Sequence, residues 1–225
     1  MPTTRIAVLT GDLVASQQST TQLLYKQLDN DLEALAQRHN GAWSRFRGDG
    51  FQLALHQIDA GLDAAVALRA GLIAASPADQ RWDARISLAI GDARWAHDQS
   101  LDDANDAPFI DSGRALDQLS DTDRRLVLAG VGPAEELVVR YLDEMLDGWS
   151  TNSAQSVALC LGEPGITQAR LATLLGIRQP SVHKRLQVAR WDLLNASLAY
   201  FRHYLLHHDL LHHDLPPITT TETQG

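Results

Sequence analysis

The chain has 225 residues, 44% hydrophobic and 21% charged, which excludes disorder throughout and allows one large domain or two small ones. Its single cysteine, Cys160, excludes an internal disulfide. With no signal-peptide pattern and no run of about 18 apolar residues, a cytoplasmic location and no membrane partner are expected. The net charge of −9 excludes a uniformly basic nucleic-acid binder but hides an asymmetry: residues 1–149 carry 13 Lys+Arg against 23 Asp+Glu, residues 150–225 carry 6 against 5.

The apolar run Arg5-Ile-Ala-Val-Leu-Thr predicts a buried strand that delivers Asp12 at its C-terminal end. Leucines at helical spacing predict a helix from about Thr21 to His39, closed by Asn40-Gly41. Trp43 to Arg47 and Phe51 to His56 alternate about Gly48-Asp49-Gly50, a hairpin with Asp49 at its tip. A second helix over Asp59–Ala75 and a strand over Trp82–Ile90 complete a β-α-β-β-α-β order. That order predicts a ferredoxin-like α+β sheet, antiparallel, with helices on one face. An acidic loop over Asp98–Asp106 and a helical segment over Ser112–Leu119 follow.

After a connecting helix over Pro133–Leu146 the composition shifts near Asp147–Ser150. Three helical pieces are then predicted, Asn152–Cys160, Thr167–Leu175 and Pro180–Trp191, the last continuing to about His208. The second and third read as a helix-turn-helix: Ala172 permits close crossing, Gly176 suits the turn, and Ile177, Val182 and Leu186 supply the packing face. At 100° per residue, Val182, Leu186 and Ala189 share one side of the second helix, while Pro180, Lys184 and Gln187 lie opposite. No Asp or Glu occurs from Ile166 to Trp191, so this segment can approach double-stranded DNA. Gln179, Ser181, His183 and Lys184 are expected near base edges, and Arg178, Arg185 and Arg190 near phosphates.

Asp12 and Asp49 lie side by side if strands one and two are neighbours, and such a pair can hold a divalent metal, magnesium, beside a nucleotide triphosphate. The competing reading is that each caps its turn for backbone reasons. Arg45 and Arg47 share a face of one strand and either meet nucleotide phosphates or offset the Asp49 carboxylate.

The segments Ala7-Val-Leu-Thr-Gly-Asp-Leu-Val, Phe46-Arg-Gly-Asp-Gly-Phe-Gln-Leu-Ala and Arg85-Ile-Ser-Leu-Ala-Ile-Gly-Asp resemble, in order, the three core motifs of class III nucleotide cyclases. The resemblance implies a cyclase-like fold, metal on Asp12 and Asp49, and a site formed between two subunits. It departs where those enzymes carry an Asn and an Arg four residues apart; Gly113 and Asp117 stand there, and an Asp cannot oppose developing negative charge. The base-selecting position falls on Arg45. A cyclase-like domain without that pair, joined to a helix-turn-helix, resembles the SatD family of bacterial proteins, most specifically in Gly11-Asp12-Leu-Val-Ala-Ser and Gly48-Asp49-Gly-Phe-Gln.

The expected organisation is a cyclase-like α+β domain over 1–130, a connecting helix over 131–150, a helix-turn-helix over 151–192, a C-terminal dimerisation helix over 193–215 and a mobile tail over 216–225. In the C-terminal helix, Leu194, Leu198, Phe201 and Leu205 trace a stripe suited to another subunit, and His208 and His212 sit at metal-ligand spacing or on its wet face. The chain thus reads as a homodimeric DNA-binding regulator whose first domain binds a nucleotide or cyclic nucleotide. An active metal-dependent cyclase and a DNA-binding protein with a mere scaffold domain remain the alternatives.

Overall fold

The computed structural model describes residues 3–14, 21–46, 48–96, 99–102 and 104–207. Strand β1 (Thr4–Leu13) is followed by α1 (Thr21–Arg38), the hairpin β2 (Gly41–Arg45) and β3 (Gly50–Leu55), a 3-10 turn (Ile58–Ala60), α2 (Gly61–Ala75) and β4 (Ala84–Ala93). Then come α3 (Ala107–Ser120), β5 (Leu126–Leu128), α4 (Pro133–Asp147), α5 (Thr151–Gly162), α6 (Gln168–Leu175), α7 (Gln179–Val188) and α8 (Trp191–His207). This is a mixed α+β protein with one five-stranded sheet in the order β2-β3-β1-β4-β5 and, among the described residues, eight α-helices.

Three strand-level expectations change. The first strand lies between β3 and β4, not beside β2, which is the edge strand. β5 pairs in parallel with β4 through Ile86–Leu126 to Leu88–Leu128, so the sheet is not wholly antiparallel; a three-residue strand is too short to show alternation. The helices do not keep to one face. β1 turns Ala7, Leu9 and Leu13 towards α1 and α2, and Ile6, Val8 and Thr10 towards α3, where Phe109 and Trp95 cover them. A strand buried on both faces carries little alternation, which is why β1 reads as an apolar run.

Gly11 of β1 leaves no room for a side chain: a Cβ there would lie 2.4 Å from the Phe51 ring and 2.6 Å from the Arg85 carbonyl oxygen. Asn40, at φ 51°, turns the chain from α1 into β2.

The main core runs without interruption from the sheet through α1 and α2 into α4, α5 and α8. Leu194, Leu198, Phe201 and Leu205 are fully buried in it, so the stripe expected to meet another subunit is satisfied within its own chain. The third predicted helical piece also differs in extent: the helix does not pass from Pro180 to His208. Arg190, at φ 57°, breaks it, and α8 begins afresh at Trp191. Arg47, the His208–His212 pair, the end of the predicted C-terminal helix beyond His207 and the tail over 216–225 lie outside the described residues.

A buried ion cluster fastens α4 to this core. Arg69 of α2, with no exposed surface, donates through Nε and Nη2 to Asp83 at 2.8 and 3.0 Å, to Asp143 at 2.6 Å and to Asp147 at 2.6 Å. Burial alone would raise the Asp83 carboxyl, but the charge and hydrogen bonds of Arg69 outweigh it and hold the group below the usual carboxylate range.

Candidate functional sites

Two places gather the predicted site residues. At the first, the C-terminal end of β1, Asp12 is in register with Gly50 on one side and Arg85 on the other. The Leu13 amide donates to the Asp49 carbonyl at 3.3 Å, so the pairing of β3 with β1 brings the hairpin turn beside Asp12. The expected adjacency of Asp12 and Asp49 is thus reached through β3.

Arg85, missed as a site residue in the sequence, holds the Asp12 carboxylate by both oxygens, Nε to Oδ1 at 2.8 Å and Nη2 to Oδ2 at 3.0 Å. Both side chains are largely withdrawn from solvent, at 30% and 21% exposure. The signal for this partner was present in the sequence as an Arg that opens a strand, but only the antiparallel register sets it opposite Asp12. Below the pair lies a buried polar group that ties α3 to the sheet. Thr10 and Ser112 share a hydroxyl–hydroxyl bond of 2.7 Å, Gln52 Nε2 donates to Thr10 Oγ1 at 3.1 Å, and the Ser87 hydroxyl donates to the Ser112 carbonyl.

Arg45 is not brought to this place. In register with Phe51, it faces α1 on the other side of the sheet, pairs with Asp29 at 2.6 Å and lies over the Tyr25 ring at 4.9 Å. Gly113 follows Ser112 on α3, and Asp117 is exposed. Among the described residues no group of three or more His, Cys, Asp or Glu side chains gathers as a metal site. Magnesium is commonly held by one or two carboxylates plus substrate phosphates. Here both Asp12 oxygens are bonded by Arg85, which competes with a metal for that carboxylate in this arrangement.

The second place is the α5–α6–α7 unit. Thr167 caps α6, its hydroxyl accepting from the Arg170 amide at 3.2 Å, and Gly176 closes α6 at φ 64°. Leu171, Ala172, Val182 and Leu186 pack with Cys160 of α5 in a small core of their own. Burial pushes the Cys160 thiol up to about 11, so it stays a neutral packing group at ordinary pH. The Trp149 indole donates to the Ala189 carbonyl at 3.2 Å and pins the end of α7 to the α4–α5 corner.

The opposite side of α7 is open. Arg178, Gln179, Pro180, Ser181, His183, Lys184, Gln187 and Arg190 are exposed, and Arg185 is half-buried, 3.4 Å from Gln155. No acidic residue lies between Glu163 and Asp192. Pro180 stands in the first turn of α7, where its missing amide costs nothing.

No family model matches the chain, and no curated protein matches it. Among solved structures, a bacterial light-regulated adenylyl cyclase aligns with 57% of this chain and 77% of its own at 13% identity and a TM-score of 0.44. The active GGEEF domain of a diguanylate cyclase from Vibrio cholerae aligns with 56% of this chain and 82% of its own at 12% identity and a TM-score of 0.42. Both of these structures come from nucleotide cyclases, and at these identities and TM-scores nothing of their activity carries over to this chain. Among the described residues no helix is long and apolar enough to cross a membrane.

Proposed function

We propose that the chain is a homodimeric DNA-binding regulator of the kind the SatD-like motifs suggest, in which α6 and α7 dock on double-stranded DNA. The observation that carries this reading is the division of α7. Val182 and Leu186 are buried in a core shared with α5 and α6, while Gln179, Ser181, His183 and Lys184 stand exposed with Arg178 and Arg190 on a segment that carries no Asp or Glu. A cationic face on a rigid helix, next to a left-handed glycine turn, meets the two requirements of groove readout: attraction to phosphate and side chains held at fixed positions. Two such units in a dimer would meet half-sites about 34 Å apart. Fluorescence anisotropy of the full chain on a duplex library at low salt tests this. Binding lost in an Arg178→Glu, Lys184→Glu double variant supports it, and absence of binding to any duplex overturns it.

In the same reading the Asp12–Asp49 end of the sheet binds a nucleotide or cyclic nucleotide, with Arg85 rather than Arg45 beside Asp12. Ligand binding alters DNA affinity only in so far as it favours one placement of α6–α7 over another. The juxtaposition of Asp12 and Asp49 also supports a second reading, a metal-dependent nucleotidyl cyclase. Its test is turnover of ATP or GTP with manganese, abolished by Asp12→Asn; the Arg85 clamp and the Gly113 and Asp117 positions weigh against it.

A further inference from the structure

A cavity of about 430 Å³ opens where the end of α1, the 3-10 turn, α2, the end of α5 with its following loop, and α8 meet. Its size falls within the range of small-molecule sites, about 300–1,000 Å³. None of its lining residues belongs to the Asp12–Asp49 end of the sheet.

The walls are mixed, with apolar Leu35, Leu161, Ile166 and Trp191 beside polar His39, Gln57 and Asn195, and the Arg and Asp charges on the rim divide into two kinds. Arg202 and Asp63 are bound to each other in a two-point pair through Nε and Nη2. Arg38 and Asp59 are not so matched. The Arg38 guanidinium makes one bond, to the Leu161 carbonyl at 3.3 Å, and pairs with no carboxylate among the described residues. Asp59 forms no ion pair or side-chain hydrogen bond among the described residues and feels Arg202 only at longer range.

A ligand with one charge would satisfy either Arg38 or Asp59 and face the other as a like charge. A ligand with both charges and an apolar body satisfies both and covers the Trp191 wall.

The position of the cavity is as informative as its chemistry. Ile166 immediately precedes the cap of α6, and Trp191 follows α7. Trp191 packs against both the main core and the small core of the α5–α6–α7 unit. Next to it, Arg190 holds a left-handed conformation, at φ 57°, that is unfavourable for a non-glycine residue. An occupant therefore touches the entrance and the exit of α6–α7 together.

We propose that this cavity is an effector site for a small zwitterion with an apolar body, an amino acid or a molecule of that chemistry, whose binding steadies the α6–α7 unit against the rest of the fold. The test uses the full chain, with thermal shift and calorimetry against the standard L-amino acids at millimolar concentration, then against the deaminated and decarboxylated counterparts of any that bind. At least one amino acid binds, and removal of either its amino or its carboxyl group weakens binding about tenfold or more.

Arg38→Gln and Asp59→Asn weaken it to a similar degree. Arg38 is exposed, so its variant reports on the ligand without unfolding the chain. Amide hydrogen exchange over 163–167 and 188–192 slows in the complex. The site is overturned if no amino acid binds or if both variants bind as well as the parent; binding without slower exchange overturns the coupling. None of these readouts involves DNA, so their failure leaves the reading of α7 intact.

Discussion

Asp12 and Arg85 face each other across the β1–β4 pairing and share two hydrogen bonds, at 2.8 and 3.0 Å, so the carboxylate that the sequence marks out for metal is already neutralised by a cation of its own chain. A guanidinium in this fork geometry bonds both carboxylate oxygens at once and competes with a divalent ion for their charge.

Arg85→Gln removes that competitor. Manganese, titrated by calorimetry or by its paramagnetic broadening of nearby resonances, is expected to bind the variant about tenfold more tightly than the parent chain. Equal affinity in the two would show that the clamp does not control the site.

The Arg69 cluster makes a sharper statement about stability. Arg69→Met leaves Asp83, Asp143 and Asp147 around an uncharged side chain, and removal of one partner from a buried ion group costs about 3–5 kcal/mol. Urea denaturation at neutral pH measures the loss. Because Asp83 titrates below its ordinary value of 3.8 in the folded chain, its contribution is full above that pH and disappears as pH falls through the folded value. The parent chain should therefore lose stability on acidification below about pH 4 more steeply than Arg69→Met does.

Asp31 has the opposite sign. It sits on α1 against Gly71 of α2, with one carboxyl oxygen bonded by Gln27 at 2.9 Å and the other buried without a partner. Burial raises it from 3.8 to about 6, against the lowering effect of the Gln27 bond. Its contribution to stability is present below the unfolded value and is lost as pH rises through about 6. Asp31→Asn should gain about 1–2 kcal/mol at pH 7.5 and flatten the stability profile between about pH 4 and 6, both read from urea midpoints.

Salt dependence separates the phosphate contacts of α7 from its base contacts. If Arg178 and Arg190 neutralise phosphates, replacing either with Ala lowers the slope of log affinity against log salt by about 0.9, with little change in sequence preference. Ser181→Ala or Gln179→Ala should leave the slope alone and change the preferred sequence. A Val182→Asp change removes DNA binding by another route, since it puts a charge into the small core beside Leu171 and Leu186.

Much of this molecule is legible locally. The left-handed Gly176, the capping Thr167 and the division of α7 into buried and exposed sides follow from turn chemistry and a 3.6-residue period, and these are properties of neighbouring residues. The same holds for the hairpin about Asp49 and for the helix ended by Asn40. The break at Arg190 was not legible, because a left-handed arginine at that position is stabilised by what packs around it, with Trp149 holding the Ala189 carbonyl and Trp191 filling the space between two cores.

What the sequence determined by itself was the kind of element at each place and the residue types offered at its ends: an aspartate after the first strand, another in a hairpin, and an acid-free helix late in the chain. The tertiary structure alone decided which of these meet. It chose Arg85 rather than Arg45 as the partner near Asp12, because a side chain's face is set by strand register, and Arg45 falls in phase with Phe51 on the α1 side. It also buried the leucine stripe of α8 in its own core, because an amphipathic helix specifies that an apolar surface must be covered and leaves open what covers it.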